Sequence, residues 1–205
     1  MMGKAIVFFL IGYLCGSILF ANVFCRVFRK NDMLERSKDQ NPGTANAYMY
    51  GGFWCGTCTL CGDLLKGFLP VYLFTLSVPT PEMGLKYALV LAAPVIGHAF
   101  PIFARFRGGK GIAVTFGCLL GLFPHMLPFS IFAALFIFFS VILRVTPHFY
   151  RTIFTYVGTF LFLILLRTKI TVCVGFLMIA ITVCFRLHLS KETREKMRVR
   201  LAWMH

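Results

Sequence analysis

The chain has 205 residues, of which 59% are hydrophobic and 16% aromatic, and its mean hydropathy is +0.80. Soluble domains contain about 45–50% apolar residues, so this composition excludes an ordinary soluble enzyme and indicates an integral membrane protein. The formal net charge is +14, but the cations occur in short blocks between apolar runs. That arrangement is typical of a polytopic membrane protein facing anionic lipid, and we expect no nucleic-acid partner.

Apolar runs along the chain predict transmembrane helices, each of which needs about 20 residues to cross the hydrocarbon core. The predicted spans are residues 5–27, 52–78, 85–103, 112–123, 127–143, 150–166 and 170–185. The second is predicted as a broken crossing, with a short piece over 52–60 and a helix over 64–78. Only Lys4 precedes the first run, so we interpret it as a retained helix and not a signal peptide. The prediction is an all-α integral membrane protein with about seven transmembrane helices, some short or broken.

The positions of the cations indicate how these spans are oriented. If the amino terminus lies outside, the outer side holds only four of the 21 lysines and arginines: Lys4, Lys86, Arg167 and Lys169. The positive-inside rule favours this orientation in a cell (plasma) membrane, with the carboxyl terminus cytoplasmic. We expect one multi-pass domain over residues 1–205, with a basic cytoplasmic tail over 186–205. The tail cations alternate with Glu192 and Glu195, which predicts a surface helix on lipid head groups.

Three cysteines repeat as C-x2-C-x2-C at Cys55, Cys58 and Cys61. A zinc or iron–sulfur site needs a fourth ligand, and the sequence supplies none nearby. We therefore interpret the cysteines as packing residues, and we expect neither a metal site nor a cofactor.

Three polar groups interrupt the apolar pattern, and the predicted topology places all of them at the cytoplasmic face. The first is a loop over residues 41–46 whose Asn, Pro and Gly residues oppose a continuous helix. The second is the pair Asp63 and Lys66, spaced i, i+3 at the start of a predicted helix. The third contains glycines, which let backbone N–H groups approach a ligand, and cations, which attract anions. It predicts a phosphate cradle made of Arg105, Arg107, Gly108, Gly109, Lys110 and Gly111.

Two of these groups resemble motifs of a known membrane enzyme family. GHAFPIFARFRGGKGIA over residues 97–113 is similar to the GHxxPxFxxFxGGKGxA motif of the bacterial membrane acyl-phosphate:glycerol 3-phosphate acyltransferases. DLLKGFLPV over residues 63–71 is similar to the DxxKGxxPV motif of the same family. Gly16 and Ser17 match a Gly-Ser pair near the end of the family's first helix. The resemblance covers essentially the whole chain.

The first loop departs from the corresponding family motif. KDQNPGTAN over residues 38–46 keeps the asparagines and one glycine of GSGNxGATN, namely Asn41, Gly43 and Asn46. Lys38, Asp39 and Gln40 replace the Gly-Ser-Gly, so the motif's hydroxyl is missing. Because Asp39 would repel an anion at this point, an acyltransferase with another phosphorylated acceptor is an open alternative.

The resemblance implies transfer of a fatty acyl group from acyl phosphate to the primary hydroxyl of glycerol 3-phosphate, giving lysophosphatidate and phosphate in phospholipid synthesis. Acyl phosphate is an activated anhydride, so placement of the hydroxyl and stabilisation of the oxyanion suffice without a metal or covalent nucleophile. The expected partners are both substrates and membrane lipids. The other class of function is a non-enzymatic paralogue, a lipid or phosphate binder or a transporter. The predicted spans after Thr115 carry only Thr, Ser and Cys as interior polar residues, which disfavours a transport pathway.

The acyltransferase hypothesis assigns roles to individual residues. The predicted catalytic residues are Asn41, Asn46, His98 and Lys110. The predicted substrate-binding residues are Ser17, Gly43, Asp63, Lys66, Arg107, Gly108, Gly109 and Gly111. The base is either His98 or the substrate's own phosphate. Purely structural roles also remain open: His98 as a helix-end residue, Asp63 and Lys66 as a charge pair, Ser17 as a packing residue and Arg105 as a topology signal.

Overall fold

A computed structural model of the chain describes residues 2–30, 32–37, 39–78, 84–190 and 196–201, and these are almost entirely helical. The helices are α1 (Met2–Ser17), α2 (Phe20–Val27), α3 (Met33–Arg36), α4 (Thr44–Asn46), α5 (Phe53–Ser77), α6 (Gly84–Ala99), α7 (Ile112–Leu120), α8 (Leu127–Ile137), α9 (His148–Leu165) and α10 (Ile170–His188). Two π-helical segments, Ala47–Gly51 and Phe138–Ile142, and a 3-10 turn, Ile102–Ala104, adjoin them. The prediction of an all-α integral membrane protein is confirmed.

The number of membrane spans in the described residues follows from the length and apolar composition of the helices. Four helical segments are long and apolar enough to cross a membrane: Phe53–Ser77, Gly84–Ala104, His148–Leu165 and Ile170–His188. The bent pair α1 and α2 supplies a fifth if it counts as one span. The other two predicted spans are the shorter apolar helices α7 and α8. All of the predicted apolar runs are therefore helical, but not all are long enough to cross alone.

The first apolar run differs from its prediction because it is bent. Its two helices meet at an angle of 41°, and Leu19 between them has extended backbone, with φ −86° and ψ 92°. At this break the carbonyl oxygen of Ile18 accepts a hydrogen bond of 2.7 Å from Lys66 Nζ. The bend therefore gives the α5 lysine a backbone acceptor on a neighbouring helix.

The predicted break within residues 52–78 is wrong, because α5 is one continuous helix of 25 residues. Asp63 and Lys66 consequently lie inside a spanning helix and not at a helix start. Lys66 Nζ is 2.8 Å from Asp63 Oδ1. Charges at such a position are rare unless they pair or face a polar cavity, and here the ion pair offsets the cost of burying both charges.

Glycines let the helices that carry the polar groups approach closely. A Cβ at Gly16 of α1 would overlap the carbonyl oxygen of Pro94 in α6, and a Cβ at Gly117 of α7 would overlap the carbonyl oxygen of Leu64 in α5. Small residues at such contacts are typical of membrane helices, which pack without a hydrophobic driving force between them. The close contacts bring α1, α5, α6 and α7 together around the polar groups.

The tail contains a short strand in place of part of the predicted surface helix. β1 (Val145–Thr146) pairs antiparallel with β2 (Arg198–Val199), with Val145 opposite Val199 and Thr146 opposite Arg198. The hydroxyl of Thr146 also donates to Arg198 O at 3.3 Å. These hydrogen bonds between the two strands hold the tail extended at this point. Glu192 and Glu195 lie outside the described residues.

Candidate active site

A cavity of about 860 Å³ lies among helices α5 and α6, the loop that precedes α4, and the first turns of α7 and α9. Its polar lining residues are Asp39, Asn41, Thr44, Asn46, Asp63, His98, Lys110, His148 and Arg151. Its apolar lining includes Met49, Leu60, Ile112, Phe116 and Phe136. One cavity therefore offers cations and amides to an anion and an apolar wall to a hydrocarbon chain.

Lys66 connects α5 to α1 and α6 from behind this cavity. Its ammonium lies 2.8 Å from Asp63 Oδ1, 2.7 Å from Ile18 O and 2.8 Å from His98 Nδ1. Lys66 and Asp63 side chains are each 2% exposed, and Asp63 Oδ2 accepts a hydrogen bond from the hydroxyl of Thr44 at 3.2 Å. Charges buried to this degree require such partners. The cluster therefore holds helices α1, α5 and α6 in a fixed arrangement.

The same contacts determine which nitrogen of His98 carries its proton. The Lys66 amine is within hydrogen-bond distance of Ile18 O and His98 Nδ1, and it forms an ion pair with Asp63 Oδ1. An ammonium has no acceptor, so with Lys66 charged, His98 Nδ1 accepts and the ring proton is on Nε2. A neutral imidazole in this tautomer donates through Nε2. In this tautomer His98 offers a hydrogen-bond donor at Nε2; its role as the base stays a prediction.

Gly109 lies against the Nε2 edge of the imidazole, and Gly108 lies against the backbone at the end of α6. The N–H of Gly109 donates to His98 O at 3.0 Å, and a Cβ at Gly109 would overlap His98 Nε2. Gly108 O accepts hydrogen bonds from the guanidinium of Arg186, one of them from Nε at 3.2 Å. These two glycines are buried and position the ring and the loop, whereas Gly111 is the loop glycine that lines the cavity.

Gly111 forms the junction between the glycine loop and α7. Its φ of +81° is in the left-handed region, which a residue with a Cβ rarely adopts. Helix α7 begins at the next residue, and both Ile112 and Ala113 line the cavity. The amino-terminal end of a helix favours an anion through its unpaired N–H groups and its dipole. This end of α7 lies beside Lys110, which is 7% exposed.

The first loop contacts Lys110 through Asp39. Asp39 Oδ2 lies 2.9 Å from Lys110 Nζ, and Asp39 Oδ1 accepts from Asn46 Nδ2 at 2.7 Å. Asn46 Nδ2 also donates to Asn41 O at 2.9 Å. Burial raises the pKa of the Asp39 carboxyl, but the Asn46 hydrogen bond and the Lys110 charge outweigh burial and lower that pKa. Asp39 is thus an ionised partner of Lys110. Lys38, the residue before it, lies outside the described residues.

The structure brings together seven of the twelve predicted site residues at the cavity wall: Asn41, Gly43, Asn46, Asp63, His98, Lys110 and Gly111. Lys66, Gly108 and Gly109 lie behind that wall. Ser17 is buried, donates to Tyr13 O at 2.9 Å and accepts from the N–H of Ile102 at 3.4 Å. Arg107 is exposed and does not line the cavity. Substrate-binding roles for Ser17 and Arg107 therefore stay predictions.

Two cavity residues on α9 were not identified from the sequence. Arg151 Nη2 donates to His148 Nδ1 at 2.6 Å, and the Arg151 guanidinium lies 5.8 Å from the centre of the Phe136 ring. In the sequence, Arg151 is only one of the lysines and arginines that the predicted orientation places on the inner side. An arginine one turn into an otherwise apolar helix was the available signal, because such a residue generally faces the protein interior or a water-filled cavity.

Comparison with known proteins extends the motif resemblance to most of the chain. The sequence model of the family described as glycerol-3-phosphate acyltransferase matches residues 6–194. A glycerol-3-phosphate acyltransferase of Serratia proteamaculans is 40% identical over 120 residues, 58% of this chain and 54% of the relative. One of Legionella pneumophila is 43% identical over 111 residues, 54% of this chain and 39% of the relative. The matched region thus spans about half or less of these relatives.

The fold of the chain is also similar to solved structures of glycerol 3-phosphate acyltransferases. A crystal structure of PlsY (YgiH), an integral membrane glycerol 3-phosphate acyltransferase in its glycerol 3-phosphate form, has a TM-score of 0.73 at 25% identity. The match covers 90% of this chain and 88% of that one. Its lysophosphatidic acid form has a TM-score of 0.71 at 26% identity, covering 89% of this chain and 87% of that one. The family resemblance predicted from the motifs is confirmed, and the chain belongs to the glycerol-3-phosphate acyltransferase family.

Proposed function

We propose that this protein transfers a fatty acyl group from acyl phosphate to the primary hydroxyl of glycerol 3-phosphate, giving lysophosphatidate and phosphate. The observation that carries the proposal is a single cavity with cationic and apolar walls. Lys110 and Arg151 supply positive charge, and Phe116 and Phe136 supply apolar surface. Both substrates carry phosphate and one carries a hydrocarbon chain, so each part of this lining has a ligand group to bind.

Two phosphates require two cationic subsites. Lys110, with Gly111 and the amino-terminal end of α7, provides the first. Arg151 on α9 provides the second, since Arg151 lines the same cavity and a guanidinium suits bidentate phosphate binding. Arg151 thereby takes a substrate-binding role that the sequence assigned to Arg107 and Lys66. Asn41 and Asn46 orient the acceptor between these subsites.

The tautomer of His98 determines its part in the reaction. Its Nε2–H donates to the oxygen that becomes negative when the hydroxyl attacks the acyl carbonyl. The hydroxyl oxygen forms the new bond to the acyl carbon, and the bond from that carbon to the phosphate oxygen breaks. The hydroxyl proton goes to an oxygen of a substrate phosphate, which is the alternative base left open by the sequence. Lys66 and Asp63 act through His98 and are positioning residues.

The cavity is proposed to face the cytoplasm. The protein is a multi-pass integral membrane protein, and the distribution of its lysines and arginines favours an outside amino terminus and an inside carboxyl terminus. The polar loop of α4 and the glycine loop then lie on the inner side. A water-soluble acceptor enters from the cytoplasm, while an acyl donor enters from the membrane.

The test is acyl transfer by the purified full chain with acyl phosphate and a panel of phosphorylated acceptors that includes glycerol 3-phosphate. Mass spectrometry identifies the acylated product, and a colorimetric assay measures phosphate release. We expect lysophosphatidate and phosphate in equal amounts. Acylation of a different acceptor would overturn the assignment of glycerol 3-phosphate, and no acyl-phosphate consumption with any acceptor would overturn the proposed enzyme activity.

A further inference from the structure

The cavity contains a carboxylate where a phosphate is proposed to bind. Asp39 lines the cavity, and its carboxylate oxygens take three donors: Lys110 Nζ at 2.9 Å, Asn46 Nδ2 at 2.7 Å and the N–H of Asn41 at 3.3 Å. An ammonium, a side-chain amide and a backbone N–H are also the donors that proteins present to phosphate oxygens. The subsite is thus already built around an anion.

The carboxylate belongs to a short loop and not to one of the spanning helices. Asp39 lies between α3, which ends at Arg36, and α4, which begins at Thr44. Its side chain is 14% exposed, against 9% for that of Lys110. Both side chains line the cavity and retain some exposure, and the carboxylate is carried by a loop between two short helices.

We propose that Asp39 is an internal competitor that occupies the phosphate subsite of Lys110 and Asn46 and sets its affinity for phosphate-bearing substrates. The inference rests on the proposed function, because it assumes that Lys110 binds a substrate phosphate. Two anions cannot share one ammonium without repulsion, so the phosphate must displace the carboxylate. A dianionic phosphate monoester interacts more strongly with Lys110 than a monoanion does. Asp39 therefore excludes weaker anions from the cavity and lowers affinity for the substrate.

The family motif has an uncharged residue at the position of this carboxylate. Asp39 stands at the serine position of the family's GSGNxGATN pattern. A serine hydroxyl has no charge and can donate as well as accept, so it would not compete for Lys110. This chain therefore differs from the family motif by a charged side chain at the Lys110 subsite.

Calorimetric titration of the full chain in detergent with inorganic phosphate and with glycerol 3-phosphate tests the inference. Asp39→Asn removes the charge and keeps the shape, and Asp39→Ser provides a second variant in case the asparagine makes new hydrogen bonds. We expect either variant to lower the Kd for phosphate about tenfold, because the competing charge is gone. Asp32→Asn is the matched control, since Asp32 forms an exposed pair with Arg36 at 3.4 Å. That control should leave the Kd unchanged.

The double variant Asp39→Asn, Lys110→Met tests whether the lower Kd of Asp39→Asn arises at the Lys110 subsite. If it does, the tighter phosphate binding should disappear without the lysine. Equal or weaker phosphate binding in both Asp39 variants would overturn the inference and make Asp39 a positioning residue for Lys110. Tightening that persists without Lys110 would also overturn it, since the effect would then be general electrostatics. Binding is measured without turnover, so these results are distinguishable from a failure of the acyl-transfer assay.

Discussion

Lys66 donates a hydrogen bond of 2.8 Å to Nδ1 of His98, and this contact joins α5 to α6 beside the cavity. The same ammonium neutralises buried Asp63. Lys66→Met should lower the free energy of unfolding by about 3–5 kcal/mol, because Asp63 is left as an uncompensated buried charge. It should also lower kcat more than it changes KM, since His98 loses the partner that fixes its tautomer.

The control for this variant is Lys86→Met, which removes a lysine from the exposed beginning of α6. Thermal unfolding in detergent and steady-state kinetics of acyl transfer measure the two effects. A Lys66→Met protein with the wild-type Tm and kcat would show that neither Asp63 nor His98 depends on this lysine.

Gly109→Ala tests how closely the glycine loop positions His98. The added Cβ would overlap His98 Nε2, so the imidazole has to move away from its donor position. Displacement of a catalytic group by about 1 Å costs on the order of a hundredfold in rate, and we expect a loss of that size in kcat. Gly3→Ala adds a methyl group with nothing within 4 Å and should behave as wild type. Normal turnover by Gly109→Ala would rule out a catalytic position for the ring.

Arg151→Gln tests the second phosphate subsite. A hydrogen bond to a charged group contributes about 1.5–3 kcal/mol, so removal of the guanidinium should lower kcat/KM about ten- to a hundredfold. Arg144→Gln is the matched control, because Arg144 is exposed and does not line the cavity. Equal kcat/KM values for the two variants would place the second phosphate away from α9.

Hydropathy was sufficient to predict where the helices lie, because every backbone polar group inside a membrane must be satisfied within a helix or a closed barrel. It was not sufficient to predict helix continuity. The break at Leu19 coincides with a tertiary contact, Lys66 to Ile18 O, which joins residues that no local sequence pattern relates. The i, i+3 pair of Asp63 and Lys66 was visible in the sequence, but its position inside one continuous helix was not.

The motifs predicted seven of the twenty residues that line the cavity. Lys110 and His98 are among them, because such residues carry the charge and hydrogen-bonding chemistry directly. Motif matching could not find Arg151, which lies outside the motifs and reaches the cavity only through the packing of α9. Asp39 was recognised as a departure, but its effect was interpreted as simple repulsion of an anion. The structure shows it paired with Lys110 at 2.9 Å, a relation between two loops that is visible only after folding.

The initial rate of lysophosphatidate formation from acyl phosphate and glycerol 3-phosphate, compared between wild type and Lys110→Met, tests the central claim most directly. Methionine keeps the side-chain length and removes the charge. We predict product formation by the wild-type protein and a rate lower by about ten- to a hundredfold in the folded variant, because a hydrogen bond from a charged group to a substrate phosphate contributes about 1.5–3 kcal/mol. Normal turnover by Lys110→Met, or no lysophosphatidate from the wild type, would contradict the account.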